Sequence, residues 1–373
     1  MVNKKIIVFL SISLCFALHP AFQQENQVME KKEAGVTCVV ANETPLYSPD
    51  ILELEEVFSL REEEEKGEEY IWRQIGHLDL DDKGNYYLLD RSLKKIKVFN
   101  QDGVYIRSIG RFGEGPGEFQ YPWWVDVIDQ REVAILDFSR RKLLYYSLDG
   151  KYENEISLAA HGTCLEFALD QEGQIIGKFI ISRGEEALIM INPDTKETKA
   201  MATKKAGDKI PLLNELAPQI LWTCGENGRI LWAITTEYEI NISDCQGNLI
   251  KKITKPSNRL KIKKEEKDKY QLQVKRKFGG RPIPPIFEQE LPEYYPAFQA
   301  IYTDDEGRII VKTYEKNEKG QFYFDIFDSK GRYLAKIALN SDYQIWRKGY
   351  LYTVESAPEG YQLVKKYKVR WNY

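Results

Sequence analysis

The chain has 373 residues, with 53 Lys and Arg against 57 Asp and Glu for a formal net charge of −4. That acidic balance excludes a general attraction to nucleic acid, which requires a basic surface. Three histidines, one of them in a leader segment, exclude a three-histidine zinc centre.

The first residues carry Lys4 and Lys5 and then an apolar run from Ile6 to Leu18. This is the pattern of a secretory signal peptide, too short to span a bilayer comfortably. Cleavage after Ala17 or Ala21 assigns 1–21 to the leader and sends the mature chain to the periplasm or the extracellular space. Removing Lys4 and Lys5 brings the formal charge to about −6. Leu14 before Cys15 is larger than the residue a lipobox takes there, so a lipid anchor on Cys15 is the minority reading. Residues 22–50 are short, polar and punctuated by Pro45 and Pro49, which predicts a tether. Leu52, Leu54, Phe58 and Leu60 then alternate with polar residues as a strand does. The acidic run Glu62 to Glu65, with Glu68 and Glu69, reads as a solvated loop.

From here the chain repeats. Turns recur at Asp82-Lys83-Gly84, Gln171-Glu172-Gly173, Glu226-Asn227-Gly228 and Asp305-Glu306-Gly307, each flanked by short apolar strands such as Asn85-Tyr86-Tyr87-Leu88-Leu89. A second set lies at Asp102-Gly103, Asp149-Gly150, Gln246-Gly247 and Lys330-Gly331. Tight hairpin turns need positive φ or side-chain capping, which glycine and aspartate supply. Two hairpin turns per unit mean four strands per unit, and a repeat with only strand patterning predicts a propeller. Units begin near His77, Trp124, Glu166, Leu221 and Ala300, with a shorter last one from Tyr343 that holds three strands. The strand at Leu52 to Leu60 is the donor of the missing outer strand, because an open ring would leave unpaired edges. The expected fold is all-β: a six-bladed β-propeller of four-stranded antiparallel blades over 51–373, closed by the N-terminal strand joining the C-terminal blade.

Asp90-Arg91-Ser92-Leu93-Lys94-Lys95-Ile96-Lys97-Val98-Phe99, Asp102-Gly103 and the stretch Ile109 to Pro122 resemble an NHL repeat. Asp137 and Lys142 fall where Asp90 and Lys95 fall. The chain is similar in particular to the bacterial six-bladed beta-propeller proteins of NHL-repeat-like type, a resemblance that implies the same closed ring.

One interruption breaks the period, an insertion over 254–298. Tyr270, Val274 and Phe278 stand at four-residue steps before Gly279-Gly280, predicting a short helix over 264–278. Arg281-Pro282-Ile283-Pro284-Pro285-Ile286 then predicts a stiff extended loop.

In such a ring the long, irregular connections share one face, opposite the short Asp and Gly turns, and function favours variable loops on a rigid scaffold. That face collects the candidate ligand-binding residues Arg111, Trp123, Trp124, His161, Arg281, Tyr294 and Tyr295, together with Tyr121, Trp346, Arg91, Arg140 and Arg183. Aromatics and arginines around a mouth stack on sugar rings or clamp carboxylates. The competing reading makes the tryptophans wedges between blades. No nucleophile motif, phosphate loop or cofactor fingerprint is present, and no catalytic or metal residue is assigned. Cys38, Cys164, Cys224 and Cys245 read as strand cysteines without a bridge. The sequence thus favours an exported, non-catalytic binding protein for a glycan, peptide or protein, needing no cofactor. The alternative is a calcium-dependent lactonase, other hydrolase or lyase in the central channel, where Asp79, Asp126 and Glu166 begin three successive inner strands.

Overall fold

The computed structural model describes residues 28–128, 131–182, 184–205, 216–277, 279, 291–340, 343–357 and 360–373. The expected leader and its cleavage site, Arg183, Phe278 and the expected proline loop with Arg281 lie outside the described residues. Within them the strands form six radial sheets. Blade 1 comprises Ile75–Leu80, Tyr86–Asp90, Lys95–Phe99 and Tyr105–Ile109. Blade 2 comprises Pro122–Ile128, Glu132–Asp137, Lys142–Ser147 and Tyr152–Ser157. Blade 3 runs from Thr163–Leu169 to Thr198–Lys205, and blade 4 from Ile220–Cys224 to Leu249–Thr254. Blade 5 spans Ala300–Thr303 to Tyr333–Leu339. Blade 6 takes Tyr343–Arg347, Tyr350–Ser356 and Gln362–Trp371 from the end of the chain and Leu52–Leu60 from its beginning. Leu52 faces Trp371 and Leu60 faces Val364 in that antiparallel pairing, so the expected closure is present.

Turn chemistry explains the repeat. Asp81 accepts the amides of Lys83 and Asn85, both at 2.9 Å, while Gly84 takes φ 77°. Asp170 and Asp304 do the same in blades 3 and 5. The capping carboxylate thus sits one residue ahead of the visible Asp82-Lys83-Gly84 motif. The aspartate of the NHL-like stretch has another task. Asp137 is fully buried and accepts the amides of Gln120 at 2.8 Å and Tyr121 at 3.2 Å, stapling the incoming connection to its blade. Asp90 holds the amide of Arg73 at 3.1 Å in the same way.

Six hydrophobic clusters fill the six seams between blades. The seam of blades 1 and 2, for instance, packs Tyr87, Leu89 and Val98 against Val125, Val133 and Ile135. Burying each such side chain contributes roughly 1.5–3 kcal/mol, so the inter-blade faces carry most of the stability. Among the described residues the smallest of these clusters joins blades 3 and 4 through Ile176, Leu188, Met190, Ala202, Ile220 and Ile230.

The segment expected to be a tether is structured from residue 29 onward. Met29–Glu33 and Val36–Val40 form a hairpin whose second strand pairs in parallel with Leu249–Thr254, making blade 4 six-stranded. Asn42 then bonds both backbone groups of Tyr333, at 2.9 and 3.0 Å, and Tyr47 donates to Leu334 O at 2.8 Å. The N-terminal stretch is therefore a strap running along the outer rim from blade 4 across blade 5 into blade 6. Its charged Met-Glu-Lys-Lys-Glu sequence hid the strand, because an edge strand with two wet faces shows no apolar alternation.

In the insertion, helix α1 spans Lys264–Lys277, ending where the glycines stop it. Val274 is its buried side chain. Ile262 N bonds Glu293 O at 2.9 Å and Tyr295 N bonds Leu260 O at 2.8 Å, closing the base of the excursion.

Candidate functional site

The inner strands surround a central cavity of about 950 Å³ lined from all six blades. Blade 1 contributes His77, Asp79 and Asp82; blade 2, Trp124 and Asp126; blade 3, Glu166, Asp170 and Lys178. Blades 4, 5 and 6 add Trp222 and Cys224, then Tyr302, Asp304 and Asp305, then Gln344, Trp346, Arg347 and Lys348. Seven carboxylates thus face three basic side chains in one basin. Several lining residues, among them Asp82, Asp170, Asn227, Asp304 and Lys348, belong to the short first turns of their blades. The cavity therefore reaches the face opposite the long connections.

Hydrogen bonds lace the inner strands into a ring. Asp79 accepts the amide of Val127 at 2.7 Å and Asp126 accepts that of Leu169 at 2.8 Å, each carboxylate reaching the next blade. Arg347 donates to Leu80 O at 2.6 Å, and Thr303 to Cys224 O at 3.1 Å. Ala168 stands where Asp79 and Asp126 stand, and cannot lace. Two side chains of blade 3 replace it: Lys178 donates to Ile220 O at 3.2 Å and Glu186 accepts Ile220 N at 3.1 Å. Burial works to lower the Lys178 ammonium, but Glu166 at 2.6 Å prevails and holds its pKa above the ordinary lysine value. Asp79 and Asp126 therefore hold blades together. Among the described residues no group of three or more His, Cys, Asp or Glu is arranged to hold a metal ion.

In the cavity wall His77 packs against Trp124, the rings tilted with centroids 3.7 Å apart. His77 also lines a second cavity of about 570 Å³ at the seam of blades 6 and 1, with Gly76, Asn340, Glu355 and Gln362. Burial, helped by the Arg91 charge, pushes the His77 imidazole down to about 3, so it is neutral at physiological pH. It is a packed wall residue between two hollows.

The residues expected on the loop-bearing face do not form one site. Of the six that lie within the described residues, Trp124 alone lines the central cavity. Trp123 is a wedge: its indole donates to Leu165 O of blade 3 at 2.8 Å, and the Arg91 guanidinium lies 3.6 Å above its ring. Arg111 pairs with Glu118 at 2.6 Å in the connection between blades 1 and 2, with its side chain 75% exposed. His161 packs near Phe179, and burial lowers its pKa. Tyr295 stacks on Tyr314 at 4.4 Å, with its hydroxyl pushed up to about 12 by burial and by Glu266. Tyr294 stays 38% exposed beneath Arg259. Arg140 donates to Glu118 O at 2.9 Å and Trp346 lines the central cavity. Cys38, Cys164, Cys224 and Cys245 are free thiols. The sequence pointed to Trp124 and to the channel carboxylates, but missed Gln344, Trp222 and Tyr302, whose only signal is their place at successive inner-strand positions.

Family comparison agrees with this geometry. The sequence profile described as 6-bladed beta-propeller, DUF5128, matches residues 56–255. The chain belongs to this family. Two solved structures share the propeller. One is a candidate exported protein from Bacteroides fragilis, 12% identical, covering 89% of this chain and 99% of its own, with a TM-score of 0.55. The other is a DUF4221 family member from Bacteroides vulgatus, also 12% identical, covering 86% and 98%, with a TM-score of 0.57. At that identity the likeness shows the fold alone. No relative is found among curated proteins. Among the described residues of this six-bladed propeller no helix is long and apolar enough to cross a membrane.

Proposed function

We propose that this chain is an exported, non-catalytic binding propeller that takes a small polar ligand into its central cavity. The observation that carries the reading is the cavity itself. Its 950 Å³ lies within the range of ligand pockets, and its walls combine tryptophans with carboxylates. Export rests on the positive, then apolar, leader pattern, and places the ligand in the periplasm or outside the cell. The absence of a nucleophile motif, and the use of Asp79 and Asp126 in inter-blade bonds, support binding over chemistry. This relocates the site from the loop-bearing face, where Trp123 is committed to packing and Arg111 to Glu118.

The test is a thermal-shift and calorimetric panel of sugars, amino sugars, sugar acids, short peptides and calcium, run on the mature protein and on Ala300→Trp. Ala300 lines the cavity, so a tryptophan there takes up part of it and obstructs a ligand. Binding by the wild type that disappears in a folded Ala300→Trp is the expected result. Retained binding would place the site elsewhere. Calcium binding accompanied by turnover of a lactone would replace this reading with the hydrolase alternative.

A further inference from the structure

The insertion between blades 4 and 5 carries a charge unlike that of the ring. Between Lys255 and Arg276 stand nine Lys and Arg against three acids, a local charge of +6 in a chain whose remaining residues total −10. Lys255 and Lys261 are drawn into ion pairs, with Asp325 and Glu293. Lys263, Lys264, Lys269, Lys275 and Arg276 are exposed and form no ion pair among the described residues. A basic stretch by itself is ordinary solvated surface, but here a second observation says what meets it. Helix α1 turns the buried Val274 and the half-buried Tyr270 to one side. Leu272 stands two positions from each, which at about 3.6 residues per turn puts it on the opposite side, and it is 51% exposed. Its neighbours three and four positions away are Lys269, Lys275 and Arg276, with Asp268 the one acid among them. The base of the excursion repeats this mixture: Leu260 is 39% exposed between Arg259 and Lys261, and Tyr294 lies beneath Arg259.

We infer that the outward face of α1, with the base of the insertion, docks on an anionic lipid surface. The cations meet headgroup phosphates and Leu272 enters the boundary between headgroups and acyl chains. Each Lys or Arg held close to such a surface strengthens binding about fivefold. A soluble acidic polymer would satisfy the cations equally well but offers no apolar layer, so the exposed leucine at their centre favours the lipid. With 14 residues and charges around its outward face, α1 lies along the surface and does not cross it. The rest of the chain, at −10, is repelled by the same lipid, which orients the ring with its insertion toward the membrane.

The deciding experiment is sedimentation of the mature protein with vesicles of phosphatidylcholine alone and of phosphatidylcholine mixed with phosphatidylglycerol, with soluble dextran sulfate as a lipid-free polyanion. The protein should partition onto the phosphatidylglycerol vesicles about tenfold or more above phosphatidylcholine, and raised salt should remove most of that difference. Lys269→Gln, Lys275→Gln and Arg276→Gln combined should weaken phosphatidylglycerol binding about a hundredfold. Leu272→Gln should weaken vesicle binding about tenfold and leave dextran sulfate binding unchanged. All four side chains are exposed, so the variants should share the wild-type urea midpoint, which separates a lost contact from a lost fold. Equal partition onto both vesicle types, no partition onto either, or a folded variant that binds as the wild type does, overturns the inference. Dextran sulfate binding without partition onto vesicles also overturns it and gives the face to a soluble acidic polymer. The cavity reading is judged separately by its own panel, because none of these four side chains lines the cavity.

Discussion

His77 shows how one side chain couples the ring to pH. Its imidazole is buried against Trp124 beside Arg91, and its folded pKa of about 3 lies below the ordinary value of 6.5. The unfolded chain therefore binds a proton more readily than the folded one. The stability contributed by a neutral His77 is complete above 6.5 and is lost as pH falls from there toward 3, by about 1.4 kcal/mol for each unit. His77→Phe keeps a ring on Trp124 and removes the titration. Urea unfolding of both proteins between neutral and mildly acidic pH should give the wild type the steeper loss; parallel curves would show that His77 is not the titrating group. Residue-scale roles were partly legible beforehand. Asp90 and Asp137 stood out by repetition, yet their work as staples between a connection and its own blade depends on amides sixteen or seventeen positions away. Asp79 and Asp126 drew notice as acids near a channel, whereas their carboxylates serve the neighbouring blade. Identity was visible there. Partners were not, because they are set by the angle between sheets.

At the scale of elements, the rim strap is the departure from the sequence reading. Asn42 is its central fastening, with both backbone groups of Tyr333 satisfied by one amide. In Asn42→Ala the Tyr333 carbonyl keeps Leu46 N at 3.1 Å, but the buried Tyr333 amide is left unpaired. The expected cost is about 2 kcal/mol, read as a lower urea midpoint with unchanged slope. A cost near zero would show that the strap only rests on blade 5. The strands of the ring were legible because aspartate and glycine turns punctuate apolar runs. The hairpin at 29–40 was not, because only its second strand carries apolar residues and its partner, Leu249–Thr254, lies far along the chain. Helix α1 was legible for the opposite reason: its four-residue steps and its glycine stop are local signals.

For the whole molecule, the seams are unequal. Among the described residues five seam clusters are broad, while that of blades 3 and 4 is small and lacks the aspartate lace, relying instead on Lys178 and Glu186 around Ile220. Opening free energies follow local packing, so the ring should open first there. Hydrogen exchange should release amides of Ile220–Cys224 before those of Tyr86–Asp90 in blade 1, and equal protection of the two strands would contradict that order. The ring count and its closure were readable from period and strand bookkeeping. The cavity was not, since it emerges only when six strands each present one or two side chains to a common axis.

Closure also dictates a schedule. Glu53 and Arg370 clasp each other across a separation of 317 residues, in the sheet where Leu52–Leu60 completes the final blade. A chain made from its amino end exposes that rim segment early and offers its mate 317 residues later, so the circle cannot be sealed until that mate has emerged. Until then Leu54, Phe58 and Leu60 have no lasting home, and a holding factor or a rapid passage through this interval must guard them from straying.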